Sequence, residues 1–237
     1  MSTHRIYFPD LAAYRASDSI MLVVEGDEGR HAATVKRVRA GELVELFDGA
    51  GRLARGLIDE TRKRSVTVAV REWSDRDRER PEIVLLAPTP KGSRPESMID
   101  QLVQVGVARW TPLLTKRSIV EPRANRVDRW RRTVIESSKQ CGRSWLMEID
   151  EPTSLDEAIA RAPEPIWVGD SDGVVPPSRT TPLDSLTVIV GPEGGLTDEE
   201  RDGLIERGAT PVRLGPHVMR LECAAVVAAA TAWRAAQ

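Results

Sequence analysis

The stretch VIVGPEGGLTDEE, residues 188–200, predicts a buried strand, a tight glycine-rich turn and the start of a helix. The continuous apolar run before Gly191 is typical of a strand whose two faces are both covered. Thr197 and Glu200 stand at the spacing of a capping box, so a helix is expected to begin there. The turn places a carboxylate, Glu193, among three glycines, and this combination limits what the turn can bind.

Glycine-rich turns after strands often hold phosphate groups, but this turn lacks the residues for that role. A P-loop ends in Gly-Lys-Ser/Thr, and no lysine follows the glycines here. A dinucleotide fingerprint has the order G-x-G-x-x-G, whereas the order here is G-x-x-G-G. Glu193 would also repel a phosphate placed beside it. A plain alternative is a strand-to-helix turn that needs glycine only for its unusual backbone angles.

A second stretch, RLGPHVMRLECAA at residues 213–225, favours a ligand site. It repeats the order strand, Gly-Pro, helix. In open α/β sheets ligands bind in the crevice at the carboxyl ends of the strands, and two such loops would meet there. Backbone groups beside glycine can read an adenine edge without charge, while Glu193 and Glu222 would favour a cationic or amine-bearing ligand.

Residues 82–237 alternate strand and helix patterns, which predicts an α/β domain with a mainly parallel sheet. Strands are expected at 82–88, 110–115, 165–170, 186–191 and 211–215. Helices are expected at 95–106, from a cap near Asn125 with Trp130 and Val134 inward, from a capping box at 154–157, between Thr197 and Gly208, and at 222–236.

Residues 1–72 have a different sequence pattern, in which glycine turns separate short β-branched and leucine-rich runs. Asp48-Gly49 and Ala50-Gly51 together indicate a hairpin loop. This pattern predicts a barrel-like β domain. Residues 73–81 are charged and end in proline, which is typical of a linker.

Composition narrows the class of protein further. No run of 18 apolar residues occurs and the first residues lack an apolar signal segment, so we expect no membrane span and a cytoplasmic protein. Cys141 and Cys223 stand far apart, which argues against a disulfide scaffold or a metal site. Residues 116–143 hold nine Lys/Arg and three Asp/Glu, a surplus of nine minus three, +6. That run indicates either a solvated helix face or a polyanion partner.

The motifs GPEGG and LGPHVMRLECA resemble the cofactor loops of the SPOUT methyltransferases, and more narrowly those of the RsmE-type 16S rRNA (uracil-N3)-methyltransferases. The resemblance covers nearly the whole chain. Further matching segments follow in the family's order: RIYF near the start, HAATVKRVRAGELVELFDGAG at 31–51, KGSRPESMIDQLVQVGV at 91–107, KRSIVEP at 116–122 and ESSKQCGR at 136–143.

The resemblance implies an N-terminal PUA-like β-barrel and a C-terminal SPOUT α/β domain that binds S-adenosylmethionine in a trefoil knot, an exception to the rule that chains are unknotted. The knot would be made by loops at Gly169-Asp170, Gly191–Gly195 and Leu214–Arg220. The implied cofactor-binding residues are Gly169, Gly191, Pro192, Glu193, Gly194, Gly195, Leu214, Gly215, Pro216, Val218, Met219 and Arg220.

Methylation of uracil N3 requires removal of the N3 proton, because the neutral imide nitrogen is a poor nucleophile. Arg220 could hold the uracil O2 or O4 edge, and Glu222 could accept the proton directly or through water. Each has a structural alternative: Arg220 could only anchor the knot, and Glu222 could only stabilise the start of the last helix. His217 is interpreted as a loop spacer rather than a base.

RNA contacts are expected from basic residues, because phosphate contact explains such clusters, and the alternative is a solvated charged surface. The predicted set is Lys36, Arg37, Arg39, Arg62, Lys63, Arg64 and Arg143. Aromatic residues make up only 4% of the chain, which argues against a broad base-stacking platform. The partners implied are 16S rRNA or the small ribosomal subunit, and a second copy of the chain packed against the alanine-rich last helix.

The sequence departs from the family pattern at several positions, namely Leu221, Cys223, Lys139, Gln101 and Gln104. These departures leave two alternatives beside a small-subunit rRNA methyltransferase. One is a non-catalytic RNA-binding or ribosome-assembly factor that keeps the fold. The other is a SPOUT enzyme with another RNA target.

Overall fold

A computed structural model describes residues 3–14, 20–118, 124–177 and 181–236, with side chains from residue 126 in the third range. These residues form two compact units. The first unit comprises the residues up to 78 together with 138–146, and the second comprises 79–137 and the residues from 147 onward.

The first unit is built on a five-stranded sheet. Its strands are β1 His4–Tyr7, β2 Ile20–Val24, β3 Leu43–Phe47, β4 Arg52–Arg62 and β5 Ser65–Asp75. The strand order is β1-β3-β4-β5-β2, with β1 parallel to β3 and the other pairs antiparallel. A 3₁₀ helix at Pro9–Tyr14, the short helix α1 at Gly26–Arg30 and a π-helical turn at His31–Val35 complete the unit before residue 78.

The predicted hairpin between β3 and β4 is confirmed. Gly49 and Gly51 have φ of +79° and +90°, a backbone region that favours glycine. Asp48 Oδ1 accepts the N–H groups of Ala50 at 2.7 Å and Arg52 at 3.0 Å, which closes the turn. β5 continues to Asp75, so its last residues lie in the segment predicted as a linker.

Residues 138–146 belong to the first unit because polar groups near the amino terminus bind them. Arg5 is buried, and its Nη1 donates to the carbonyls of Ser138 at 2.8 Å and Arg143 at 3.0 Å. Its Nε donates to Glu45 Oε1 at 2.8 Å, so the guanidinium is paired in charge as well. Lys139, which departs from the family pattern, lies 3.0 Å from Glu28 in an ion pair of this unit.

The strands of the second unit are β6 Glu82–Ala87, β7 Val107–Leu114, β8 Glu148–Ile149, β9 Thr153–Ser154, β10 Ile166–Val174, β11 Ser185–Ile189 and β12 Thr210–Val212. They form a parallel sheet in the order β12-β10-β11-β6-β7-β8, with β9 pairing β7. The helices are α2 Arg94–Gln104, α3 Ala124–Cys141, α4 Leu155–Arg161, α5 Asp198–Glu206 and α6 Leu221–Ala235, and the last residues of α3, from Ser138, belong to the first unit. The predicted mixed α/β class with a parallel sheet is confirmed.

Local signals in the sequence placed the helix ends well. Gly106 and Gly208 both have φ of +87° and follow α2 and α5, as predicted for helix stops. The side chain of Asn125 lies outside the described residues, but α3 starts at Ala124 and buries Trp130 and Val134 as expected. Trp130 packs on Trp110 of β7 with ring centroids 5.2 Å apart.

Candidate functional site

A cavity of about 800 Å³ lies at the carboxyl ends of β10, β11 and β12 in the second unit. Residues 168–172 of β10, where the resemblance implied a loop, line it together with two loops, 190–196 after β11 and 213–219 after β12. Leu221 and Ala224 from the start of α6 complete this part of the lining. Parallel strands end at one edge of the sheet, so their loops converge there, as the two Gly-Pro motifs predicted.

The loop after β11 is a tight turn held by its own backbone. The N–H of Gly195 donates to the Pro192 carbonyl at 2.8 Å, and Gly195 has φ of +71°. Thr197 and Glu200 form a complete capping box, so α5 starts directly behind the turn. A Cβ on Gly195 would meet no atom within 4 Å, which leaves this part of the turn open.

Strand β10 and the loop after β12 approach each other closely at Gly169. A Cβ on Gly169 would lie 3.1 Å from Leu214 Cδ1, and one on Gly215 would lie 2.6 Å from Met219 Cε. Glycine therefore serves close packing within the cavity wall at these two positions.

Asp170 and Arg201 form an ion pair in the cavity wall. Asp170 Oδ2 lies 2.5 Å from Arg201 Nε of α5, and Asp170 Oδ1 accepts the Asp172 N–H at 2.8 Å. Burial alone would raise the pKa of Asp170. The hydrogen bonds from Arg201 and from the Asp172 N–H, together with the Arg201 charge, outweigh burial and hold that pKa below its usual value.

Acidic side chains are well represented around the cavity, since Asp172, Glu193 and Asp198 line it beside Asp170. The basic lining residues are Arg201 and Arg213. A ligand with a positive centre fits this wall better than a polyphosphate does.

Ten of the twelve predicted cofactor-binding residues line this cavity. They are Gly169, Gly191, Pro192, Glu193, Gly195, Leu214, Gly215, Pro216, Val218 and Met219. Gly194 does not, because its Cβ position faces Arg117 at 3.5 Å. Arg220 is exposed at the start of α6 and does not line the cavity either.

The predicted catalytic pair is placed beside the cavity rather than in its wall. Arg220 is the N-cap residue of α6, and its side chain makes no capping hydrogen bond. Glu222 Oε1 lies 3.7 Å from Arg94 Nε of α2. The other carboxylate oxygen of Glu222 is buried without a hydrogen-bond partner among the described residues. Leu221, a departure from the family pattern, is buried and lines the cavity.

The predicted RNA-binding residues all lie in the first unit, with different exposure. Arg37, Arg39, Arg62, Lys63 and Arg64 are exposed, and Arg62 pairs with Glu60 at 2.9 Å. Lys36 is half-buried, with its Nζ 3.1 Å from the Arg5 carbonyl. Arg143 is only 7% exposed, which leaves little of it available to a phosphate.

Sequence reasoning missed Arg201 as a lining residue, and it named Asp170 only as part of a loop. Arg201 stands one residue after the capping box, where nothing in the local pattern indicates a cavity. Among the described residues, no His, Cys, Asp or Glu cluster could hold a metal ion, and no helix is long and apolar enough to cross a membrane.

Comparisons with known proteins agree with the loop motifs. A family model described as an RNA methyltransferase domain matches residues 78–233, and one described as an RNA methyltransferase PUA domain matches residues 24–71. Over 219 residues the chain is 34% identical to Ribosomal RNA small subunit methyltransferase E of Mycobacterium bovis, covering 87% of this chain and 83% of that protein.

Two similar solved structures contain a bound cofactor. One is a ribosomal RNA small subunit methyltransferase E from Neisseria gonorrhoeae bound to S-adenosyl methionine, with 26% identity and a TM-score of 0.86. The other is a methyltransferase from Legionella pneumophila in complex with the same cofactor, with 30% identity and a TM-score of 0.83. Each comparison covers 97% of this chain and 96% of the other.

Proposed function

Because this chain belongs to the RNA methyltransferase family of ribosomal RNA small subunit methyltransferase E, we propose that it methylates N3 of a uridine in 16S rRNA. The methyl donor is S-adenosylmethionine, the cofactor bound in the similar structures from Neisseria gonorrhoeae and Legionella pneumophila. The family assigns methyl transfer to rRNA, and the choice of uracil N3 is the finer step of the proposal.

The observation that carries the proposal is the cavity at the carboxyl ends of β10, β11 and β12. Its volume of about 800 Å³ lies in the range that holds small-molecule cofactors. Gly195 leaves its backbone open for close approach, since a Cβ there would meet nothing within 4 Å. The carboxylates of the wall suit the positive sulfonium of this cofactor and would disfavour a nucleotide polyphosphate.

When bound, S-adenosylmethionine supplies an electrophilic methyl group, and the residues of this chain position the acceptor and manage its proton. Glu222 is proposed as the acceptor of the N3 proton, directly or through water. In support, one of its oxygens has no hydrogen-bond partner among the described residues, while Arg94 lies beside the other. Arg220, at the end of the loop after β12, is proposed to hold the O2 or O4 edge of the uracil.

The remaining assignments follow from the family. Residues 1–72 are proposed as a PUA-like RNA-binding barrel, 73–81 as a linker and 82–237 as the methyltransferase domain. The loops at Gly169-Asp170, Gly191–Gly195 and Leu214–Arg220 are proposed to form a trefoil knot, which the close approach of Gly169 to Leu214 supports. The protein is proposed to act in the cytoplasm as a homodimer through the small side chains of α6.

Mass mapping of 16S rRNA tests the function directly. A strain that lacks the gene should lose one methyl group from a uridine in the small-subunit rRNA, and the restored gene should return it. If the rRNA mass is unchanged in the strain that lacks the gene, although the purified protein binds S-adenosylmethionine by calorimetry, the protein has another RNA target. A protein that binds RNA but not the cofactor would be an assembly factor.

A further inference from the structure

The turn at residues 115–118 follows β7 and contacts the glycine loop 191–196, which follows a different strand, β11. The turn is closed by Thr115 and Ser118, since the Ser118 N–H donates to the Thr115 carbonyl at 3.0 Å and the Thr115 N–H donates to Ser118 Oγ at 2.9 Å. These two hydrogen bonds fix the backbone of Lys116 and Arg117, the two residues inside the turn.

The same turn is anchored to the start of α5 through its main chain. The Lys116 N–H donates to Glu200 Oε1 at 2.8 Å, while Glu200 Oε2 accepts the Thr197 N–H of the capping box at 2.8 Å. The Lys116 side chain reaches Glu199 instead, and both side chains are exposed. Removing the Lys116 ammonium group would therefore leave the main-chain anchor in place.

Arg117 bridges two carbonyls of the glycine loop. Its Nη1 donates to the Gly194 carbonyl at 2.8 Å and to the Leu196 carbonyl at 3.4 Å. Its alkyl chain lies against Gly194, because a Cβ on that glycine would be 3.5 Å from Arg117 Cδ and 3.6 Å from Arg117 Cβ. The two bridged residues flank Gly195, which lines the cavity.

We propose that Arg117 is a positioning residue for the methyl-donor site, an inference that rests on the proposed function. By holding the carbonyls of Gly194 and Leu196, the guanidinium fixes the orientation of the peptide groups on both sides of Gly195, a residue that lines the cavity. A charged donor binds carbonyl oxygen more strongly than a neutral one does. Lysine keeps a charged donor but lacks the planar, fixed geometry of the guanidinium, so we expect it to replace the bridge only in part.

The order of the glycine loop before binding affects the affinity for the cofactor. A loop that is already ordered does not pay the cost of ordering when a ligand arrives. Without the bridge, the carbonyls of Gly194 and Leu196 are held less firmly and the ligand must complete their ordering, so the affinity for the cofactor falls. Once the site is filled, the loop has the same position, and the rate at saturation changes little.

Calorimetry with S-adenosylmethionine on the full chain tests this inference, with Arg117→Met as the main variant. Its dissociation constant should rise about tenfold, or about 1.4 kcal/mol. The conservative Arg117→Lys should recover part of the loss, with a rise of about threefold. The matched control Lys116→Met should stay within about twofold of wild type, since the main-chain anchor remains. The kcat of Arg117→Met at saturating S-adenosylmethionine should stay within about twofold of wild type.

A folded Arg117→Met protein with wild-type affinity would overturn the inference. If that variant does not fold, Arg117→Lys decides, and wild-type affinity there overturns it as well. A lower kcat at unchanged affinity would place Arg117 in the chemistry or in RNA contact and would also contradict it. Failure of the wild-type chain to bind S-adenosylmethionine is a different result, because it rejects the proposed function itself.

Discussion

The loop after β11 and the loop after β12 line the same cavity but are held in different ways. The loop after β11 has an internal turn, a complete capping box behind it and the Arg117 bridge. The loop after β12 is bound at its ends, where the main-chain N–H of Arg213 donates to the Val174 carbonyl and that of Ala224 donates to the Arg220 carbonyl. Between those ends the described backbone shows no such bond, and Val218 is 95% exposed.

The difference separates two tasks of a ligand site. A braced loop is ordered before binding and so contributes affinity without an ordering cost. A loop fixed only at its ends can adjust to a second substrate, which suits the segment that leads to Arg220. We therefore expect substitutions in the loop after β11 to weaken cofactor binding more than equivalent ones in the loop after β12.

The largest effect is expected for Gly195→Val. A Cβ on Gly195 would meet no protein atom within 4 Å, so a clash with the protein is not the expected cause. The effect should come instead from the φ of +71°, which a branched residue adopts poorly, and from a side chain at the cavity. S-adenosylmethionine affinity should fall at least about tenfold, or about 1.4 kcal/mol, by calorimetry.

Gly203→Ala in α5 serves as the control, because a Cβ there also meets nothing within 4 Å and its φ is ordinary. Its affinity should match that of wild type. Wild-type affinity in folded Gly195→Val would place the cofactor elsewhere.

The same substitution in both loops compares them directly. A Cβ in Gly191→Ala would lie 3.2 Å from the Leu196 backbone nitrogen, which the braced turn holds in place. A Cβ in Gly215→Ala would lie 2.6 Å from Met219 Cε, the end of a flexible side chain that can move. Cofactor affinity should fall about fivefold for Gly191→Ala and about twofold for Gly215→Ala. The reverse order would show that the loop after β12 is the more rigid one.

What the sequence could predict here is local, and what it missed is long-range. The glycine turn, the capping box and the helix stops depend on neighbours within a few residues, so their patterns were sufficient. The partners Asp170–Arg201, Arg117–Gly194 and Lys139–Glu28 lie 31, 77 and 111 residues apart, and no local pattern indicates them. Gly194 and Gly195 look equivalent in sequence, and only the backbone shows that one faces Arg117 and the other the cavity.

RNA binding should be independent of both loops. Arg37 and Arg39 are exposed in the first unit, and Arg39 contacts Glu42 through its main-chain N–H, which Arg39→Ala keeps. The double variant Arg37→Ala/Arg39→Ala should weaken RNA binding about threefold and reduce the slope of log K against log salt by about 0.7–0.9 per lost phosphate contact. Its S-adenosylmethionine affinity should equal that of wild type. An unchanged salt slope would exclude these residues as phosphate contacts.

The smallest effect is expected in β10, from Asp170→Asn. The pKa of Asp170 is lowered in the folded protein, so its ion pair with Arg201 adds stability above the unfolded-state pKa of about 3.9 and loses it as the pH falls through the folded-state pKa. At pH 7 the substitution should lower the free energy of unfolding by less than about 1 kcal/mol, because Arg201 is partly exposed. In acid, as wild-type Asp170 also becomes neutral, the difference between the two proteins should shrink.

Asp172→Asn is the matched control, since the Asp172 main-chain N–H that Asp170 accepts is kept. Urea unfolding of the three proteins from pH 7 down to the lowest pH at which all fold measures this difference. A gap between wild type and Asp170→Asn that stays constant across that range would mean that the ion pair with Arg201 does not stabilise this part of β10.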